Sequence, residues 1–216
     1  MPDALLWELL SDRFPQALAF AHQLHRRQRR KTSGAPYFCH LMTVAALVLE
    51  DGGSEDEAIA ALLHDALEDQ SRDYPGGVDA LAGEIEARFG AEVRRIVEAC
   101  TERRSEEEAR TTDKRARWRL HKRAYLTQVR EADDAVRRVS CADSLHNVRT
   151  MVSDFRRSGE RIWTRFATRS GDDQIWAYRA IGEAFRDAGV GPMAADLLEA
   201  VGQLERVTAP RAVAAE

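Results

Sequence analysis

Apolar residues recur at helical spacing through nearly the whole of this sequence, and nothing in it shows the period-two alternation of a half-buried strand. Phe14–Gln28 carries Leu18, Ala21, Leu24 and Gln28 at helical intervals. Leu41–Glu50 is almost wholly apolar and stops at Asp51-Gly52-Gly53. Ser54 follows as an N-cap with Glu57 three residues on, a capping box that opens a helix through Ile59–Asp69. Pro75-Gly76-Gly77 breaks the chain, and Gly90 separates helices predicted at Val78–Phe89 and Glu92–Cys100. Further helices are expected at Lys122–Ala132, Asp134–Phe155, Glu160–Arg169, Asp172–Asp187 and Met193–Arg206. With neither a linker nor an internal repeat, the expectation is an all-α, single-domain helical bundle over residues 1–206, ending in a loose tail at 207–216.

Composition excludes several classes. Hydrophobic residues are 44% and charged residues 31% of the 216 positions, which fits a packed globular chain and not a disordered one. A net charge of −4 argues against a dedicated nucleic-acid binder. The longest apolar runs, Thr43–Leu49 and Ala58–Leu63, fall far short of the ~20 residues that span a bilayer. Met1–Ser11 has no basic stretch and carries Asp3 and Glu8, so it does not read as a secretory signal. Cys39, Cys100 and Cys141 are an odd set without metal-knuckle spacing, read as reduced thiols of a cytoplasmic protein, with Cys39 and Cys141 as small buried hydrophobes. Glu102–Arg123 holds 14 charged residues in 22, a solvated loop and exposed helix or else a basic flap over an anionic ligand.

The sharpest local feature is Ala58-Ile-Ala-Ala-Leu-Leu-His64-Asp65-Ala-Leu-Glu68-Asp69. At about 100° per residue, His64, Glu68, Asp65 and Asp69 share one arc of roughly 140°, and the rest of the helix is apolar. Such a stripe either faces solvent or lines a pocket. In a pocket, three crowded carboxylates repel one another unless a cation joins them. The adjacent His64-Asp65 pair offers a nitrogen and an oxygen to one ion, while Glu68 and Asp69, a turn further on, are placed to handle water beside it. His40, at the start of an apolar helix, and Asp143, within Val139–Asn147, are further candidates with equally plain structural readings.

The order His40…His64-Asp65…Asp143 resembles the motif of the HD superfamily of metal-dependent phosphohydrolases. The fuller pattern is similar to the alarmone hydrolase domains of the RelA/SpoT family, in particular the small single-domain hydrolases. It consists of His25-x-x-Gln28-x-Arg30-Lys31, Gly34-Ala-Pro36-Tyr37-x-x-His40, Ala60–Asp69, Phe89-Gly90-x-x-Val93 and Ala142-Asp143-x-Leu145-His146-Asn147-x-Arg149-Thr150. These blocks span a motif-bearing core of about residues 14–155, leaving 156–206 as a helical extension. Leu41 stands where a proline commonly follows the metal-binding histidine, and Ser140 and Ser144 where long members carry basic residues.

The resemblance implies an HD-type fold with His40, His64, Asp65 and Asp143 as ligands of Mn²⁺, with Fe²⁺, Zn²⁺ or another divalent ion compatible with the mixed N/O set. It implies Glu68 and Asp69 as the catalytic pair, Arg30 and Lys31 against a purine base, and Asn147 and Thr150 along the nucleotide. The implied reaction is hydrolysis of a purine nucleotide 3′-diphosphate such as guanosine 3′,5′-bis(diphosphate), releasing pyrophosphate, by a hydrolase without an accompanying synthetase. The expected partner is that small nucleotide, with neither nucleic acid nor membrane. Rival readings are an HD phosphohydrolase for an adenine alarmone, NADPH or a nucleoside phosphate, and a non-catalytic nucleotide sensor or nucleic-acid-binding protein. Arg26, Arg27 and Arg29 read as solvated, and His22, His121 and His146 as structural or peripheral. Tyr178 and Arg179 either reach substrate phosphates or pack in the core.

Overall fold

A computed structural model describes residues 10–101 and 106–209 of the chain. The amino-terminal stretch 1–9 and most of the expected tail, 210–216, lie outside the described residues. Contacts divide the described chain into two compact units, one of residues 10–28 and 36–101, the other of residues 29–35 and 106–209. The regular elements are helical, as periodicity predicts. Among the described residues, no helix is long and apolar enough to cross a membrane.

The first unit holds α1 (Arg13–His25), α2 (Phe38–Glu50), α3 (Glu55–Leu63), α4 (Ala66–Asp69), α5 (Gly77–Phe89) and α6 (Ala91–Cys100). Its centre is α3, against which α1, α2 and α6 pack. Every residue from Ala58 to Leu63 is fully buried. Removing Ile59, Leu62 or Leu63 from water contributes about 1.5–3 kcal/mol each. The predicted capping box is present: Ser54 Oγ accepts from Glu57 N at 3.2 Å, and Ser54 N donates to Glu57 Oε2 at 2.6 Å. At the other end of this layer Gly90, with φ 94°, turns α5 directly into α6 in a conformation that favours glycine. Arg13 ties the corner to α1 and α3 by donating to the Phe89 carbonyl and, at 2.7 Å, to Asp56.

The second unit holds α7 (Glu106–Arg110), α8 (Lys114–Glu131), α9 (Asp134–Ser158), a 3₁₀ segment (Gly159–Arg165), α10 (Gly171–Asp187) and α11 (Pro192–Thr208). The 25-residue α9 is its spine, with α11, α10 and the 3₁₀ segment packed on it. Asp133 caps α9 by accepting from Val136 N, and Arg137 donates to the carbonyls of Val129 and Arg130 at the end of α8.

Several local expectations shift. The first helix ends at His25, so Gln28 sits in the following turn, and the buried face is Ala17, Phe20, Ala21 and His25 instead of the Leu18/Leu24 stripe. Glu160–Arg169 is not an α-helix; its first part is the 3₁₀ segment. The last helix continues to Thr208, into the expected tail. Cys141 is buried as expected, but Cys39 is exposed. Within the charged stretch, residues 102–105 lie outside the described residues, while α8 begins at Lys114 and docks one face on α10. Arg115 and Arg119 reach Asp173 at 2.7–2.9 Å, and Trp118 meets Trp176 with centroids 6.2 Å apart. Asp173 is fully buried, so this part of the charged run anchors a helix as well as facing solvent.

Candidate active site

The stripe predicted on one continuous helix is instead built around a break. α3 stops at Leu63, and Asp65, with φ −93° and ψ −2°, lies in the sparsely populated bridge region before α4 begins at Ala66. The His64 side chain turns back onto α3 at this interruption. Its Nδ1 lies 2.8 Å from the Ala61 carbonyl, the oxygen that a continuing helix would offer to the Asp65 amide. A carbonyl only accepts, so Nδ1 carries the ring proton and Nε2 is the acceptor nitrogen, the form in which imidazole binds metal.

Nε2 of His64 points to Asp65 Oδ2 at 3.1 Å, and Nε2 of His40 lies 3.8 Å from the same oxygen. The His40 and His64 rings meet edge-to-face with centroids 5.4 Å apart. His40, His64 and Asp65 thus bring one donor atom each within 4.8 Å of one another, a group able to hold a metal ion. Both histidines are buried, and Asp65 is half-buried. Two imidazoles and a carboxylate, without thiolate, suit a borderline divalent cation. His40 occupies the first turn of α2, where the apolar face of that helix fixes its direction into the unit.

Tyr37, which the motif includes but sequence reasoning left without a role, donates its hydroxyl hydrogen to Asp65 Oδ2. Its ring lies edge-on to His40 and stacks on His25 with centroids 5.5 Å apart. Its position three residues before His40, following Pro36, was the available signal. Glu68 and Asp69 stand on α4, both exposed, and Asp69 Oδ2 accepts from Gln28 Nε2 at 2.6 Å. His25 is buried, and that burial holds its pKa below the ordinary imidazole value against the opposing pull of Gln28 and of the Asp65 and Asp69 carboxylates.

In the second unit, Asp143 and Asn147 are one turn apart on α9, with Asn147 Nδ2 donating to Asp143 Oδ1 at 2.6 Å. Asn147 Oδ1 accepts from Arg30 Nη2 at 2.7 Å, so one amide joins the metal-ligand candidate to the base-binding candidate. Thr150 lies on the same helix, its Oγ1 3.5 Å from His146 Nε2. The segment carrying Arg30 and the exposed Lys31 is a tight turn, closed by Arg30 N to Ala35 O at 2.8 Å and Gly34 N to Arg30 O at 3.0 Å. Thr32 also donates to the buried Asp154 of α9. Arg179 is bound to Glu205 at 2.5–2.9 Å, which favours its packing reading over a phosphate contact. His121 pairs with Glu108 at 3.1 Å, and His22 lies exposed and edge-on to Phe38.

A family model described as HD domain matches residues 17–172. The chain belongs to the HD-domain family. It is 38% identical over 136 residues to a Synechocystis protein named probable guanosine-3′,5′-bis(diphosphate) 3′-pyrophosphohydrolase, covering 63% of this chain and 16% of that one. It is 35% identical over 139 residues to the human guanosine-3′,5′-bis(diphosphate) 3′-pyrophosphohydrolase MESH1, covering 63% of this chain and 68% of that relative. A solved structure described as a metazoan ortholog of SpoT that hydrolyzes ppGpp superposes with a TM-score of 0.65 at 22% identity, covering 91% of this chain and 95% of the other. That likeness concerns the fold. The candidate His64-Asp65 pair lies inside the matched range, at the break between α3 and α4.

Proposed function

We propose that this chain hydrolyses purine nucleotides bearing a 3′-diphosphate, guanosine 3′,5′-bis(diphosphate) foremost, to pyrophosphate and the 5′-phosphorylated nucleoside. The observation that carries the reading is the His40–His64–Asp65 donor group with Glu68 and Asp69 on the next turn, in an HD-family chain whose relatives bear that activity in their names. In this reading His40, His64 and Asp65 hold a divalent ion, with Mn²⁺ as the native metal, and the motif assigns Asp143 as a fourth ligand. When bound, such an ion polarises phosphoryl oxygen and makes water acidic near neutral pH.

The side chains divide the remaining work. Glu68 and Asp69 orient the attacking water and accept its proton as it adds to the phosphorus bonded to O3′. The P–O3′ bond breaks, O3′ takes up a proton, and pyrophosphate leaves. Tyr37 holds Asp65 through its hydroxyl, fixing one ligand before substrate arrives. Arg30, oriented by its bond to Asn147, offers its planar guanidinium face to a purine base, a role a lysine amine fills less well. Lys31 and Thr150 line the same nucleotide, and the substrate is a soluble cytoplasmic metabolite.

The test is a product analysis. Purified protein with Mn²⁺ is incubated with guanosine and adenosine 3′-diphosphate alarmones, NADPH and plain nucleoside phosphates, and the products are resolved chromatographically. Pyrophosphate and GDP from guanosine 3′,5′-bis(diphosphate) are expected. Absence of pyrophosphate release from every alarmone would overturn the proposal, and preference for the adenine compound would reassign the base.

A further inference from the structure

Gln28 stands outside α1, in the turn that follows His25, and its backbone is pinned on both sides. Its N–H donates to the His25 carbonyl at 2.9 Å, and its carbonyl accepts from Tyr37 N at 3.0 Å. The side chain is equally constrained. Oε1 accepts from Gln70 Nε2 at 2.6 Å and lies 2.6 Å from His25 Nδ1. A carboxylate only accepts, so the NH₂ group of Gln28 must be the end that faces Asp69, and its oxygen the end that faces Gln70 Nε2. The NH₂ group lies 2.6 Å from Asp69 Oδ2. A flipped amide would set donor against donor at Gln70 and oxygen against carboxylate at Asp69.

His25 completes the arrangement. With Gln28 Oε1 as an acceptor, Nδ1 carries the proton and Nε2 is the unprotonated nitrogen. His25 Nε2 is buried without a hydrogen-bond partner, which an imidazolium N–H would tolerate poorly. The ring is thereby kept in one neutral tautomer, braced by the stacked Tyr37 ring.

We propose that Gln28 is a positioning residue for the Asp69 carboxylate, with His25 and Gln70 fixing the direction in which its amide donates. The inference rests on the reading of Asp69 as a proton-accepting group. Asp69 is exposed at the end of the four-residue α4, and the Gln28 amide reaches its carboxylate from the turn after α1. A neutral amide donor orients this carboxylate while leaving it its charge. A lysine or arginine in the same place would form a stronger, charge-assisted bond and make the carboxylate a weaker base.

Two variants and one spectroscopic measurement test this. With guanosine 3′,5′-bis(diphosphate) and saturating Mn²⁺, Gln28→Leu lowers kcat by about 10- to 100-fold while KM stays within about threefold. Gln28→Glu, which sets a second carboxylate against Asp69, lowers kcat at least as far. In an Asp69→Asn background the Gln28→Leu change costs no more than about twofold, because the group it orients is already lost. Equal losses in both backgrounds, or a change confined to KM, would overturn the proposal. Independently of turnover, the Gln28 side-chain amide protons exchange slowly with solvent in the ¹⁵N-labelled protein and faster in Asp69→Ala. Identical exchange in the two proteins would contradict the contact itself. If the unaltered chain releases no pyrophosphate, the functional reading fails, and the exchange measurement still decides whether Gln28 holds Asp69.

Discussion

Arg30 Nη2 donates to Asn147 Oδ1 over 2.7 Å, joining side chains 117 positions apart. Because Asn147 also donates to Asp143, one amide orients a guanidinium and a carboxylate together. Asn147→Ala should release both. The expected result is a rise in KM for guanosine 3′,5′-bis(diphosphate) of about tenfold or more, equivalent to losing a hydrogen bond to a charged group at roughly 1.5–3 kcal/mol. Steady-state kinetics on Asn147→Ala and Arg30→Ala check this, and unchanged KM in both would remove Arg30 from the nucleotide site.

Tyr37 makes a second, separable prediction. Its hydroxyl bonds Asp65 while its ring packs on His25 and His40, so Tyr37→Phe keeps the packing and deletes only the bond. Mn²⁺ affinity measured by calorimetry should fall about 10- to 100-fold, the usual effect of losing a partner behind a metal ligand. Equal affinity would mean that Asp65 needs no such restraint.

Asp173 concerns stability. Burial raises its pKa, but hydrogen bonds and charge from Arg115 and Arg119 prevail and hold it below the ordinary carboxylate range. Its stabilisation is therefore complete above the unfolded-state value of about 3.9 and is lost as pH falls through the lower folded value. Asp173→Asn should cost about 1–3 kcal/mol near neutral pH by urea unfolding, because the two half-exposed arginines can rehydrate. The difference from the parent chain should narrow below about pH 4.

His25 acts in the opposite chemical sense. Its folded pKa is depressed by burial, so the unfolded chain binds the extra proton first as pH falls. Stability contributed by the neutral ring is full above about pH 6.5 and declines as pH drops from there toward the folded value. Unfolding free energies measured between about pH 5 and 8 should slope upward through this window, and the slope should shrink in His25→Gln.

Much of this was legible in the residues. The capping box at Ser54 and Glu57, the stop at Asp51–Gly53 and the wholly apolar run 58–63 dictate a buried helix leading straight to His64. The His40–His64–Asp65 group also follows from the motif. Helical arithmetic fails at the site itself, because α3 ends at Leu63 and α4 starts anew at Ala66, with His64 and Asp65 at the break between them. Periodicity equally carried the first helix past His25 to Gln28, although Gln28 works from the turn. The docking of Arg115 and Arg119 on Asp173 was hidden for another reason, since a charged run has the same composition whether its partner is water or a buried carboxylate.

The most direct test of the central claim is the initial rate of pyrophosphate release from guanosine 3′,5′-bis(diphosphate), followed while Mn²⁺ is titrated into chelator-treated protein. Negligible release is expected without metal, then a saturable rise as Mn²⁺ is added, with no rise in His64→Ala. The same rate in chelator as in Mn²⁺, or full activity in His64→Ala, would contradict that claim.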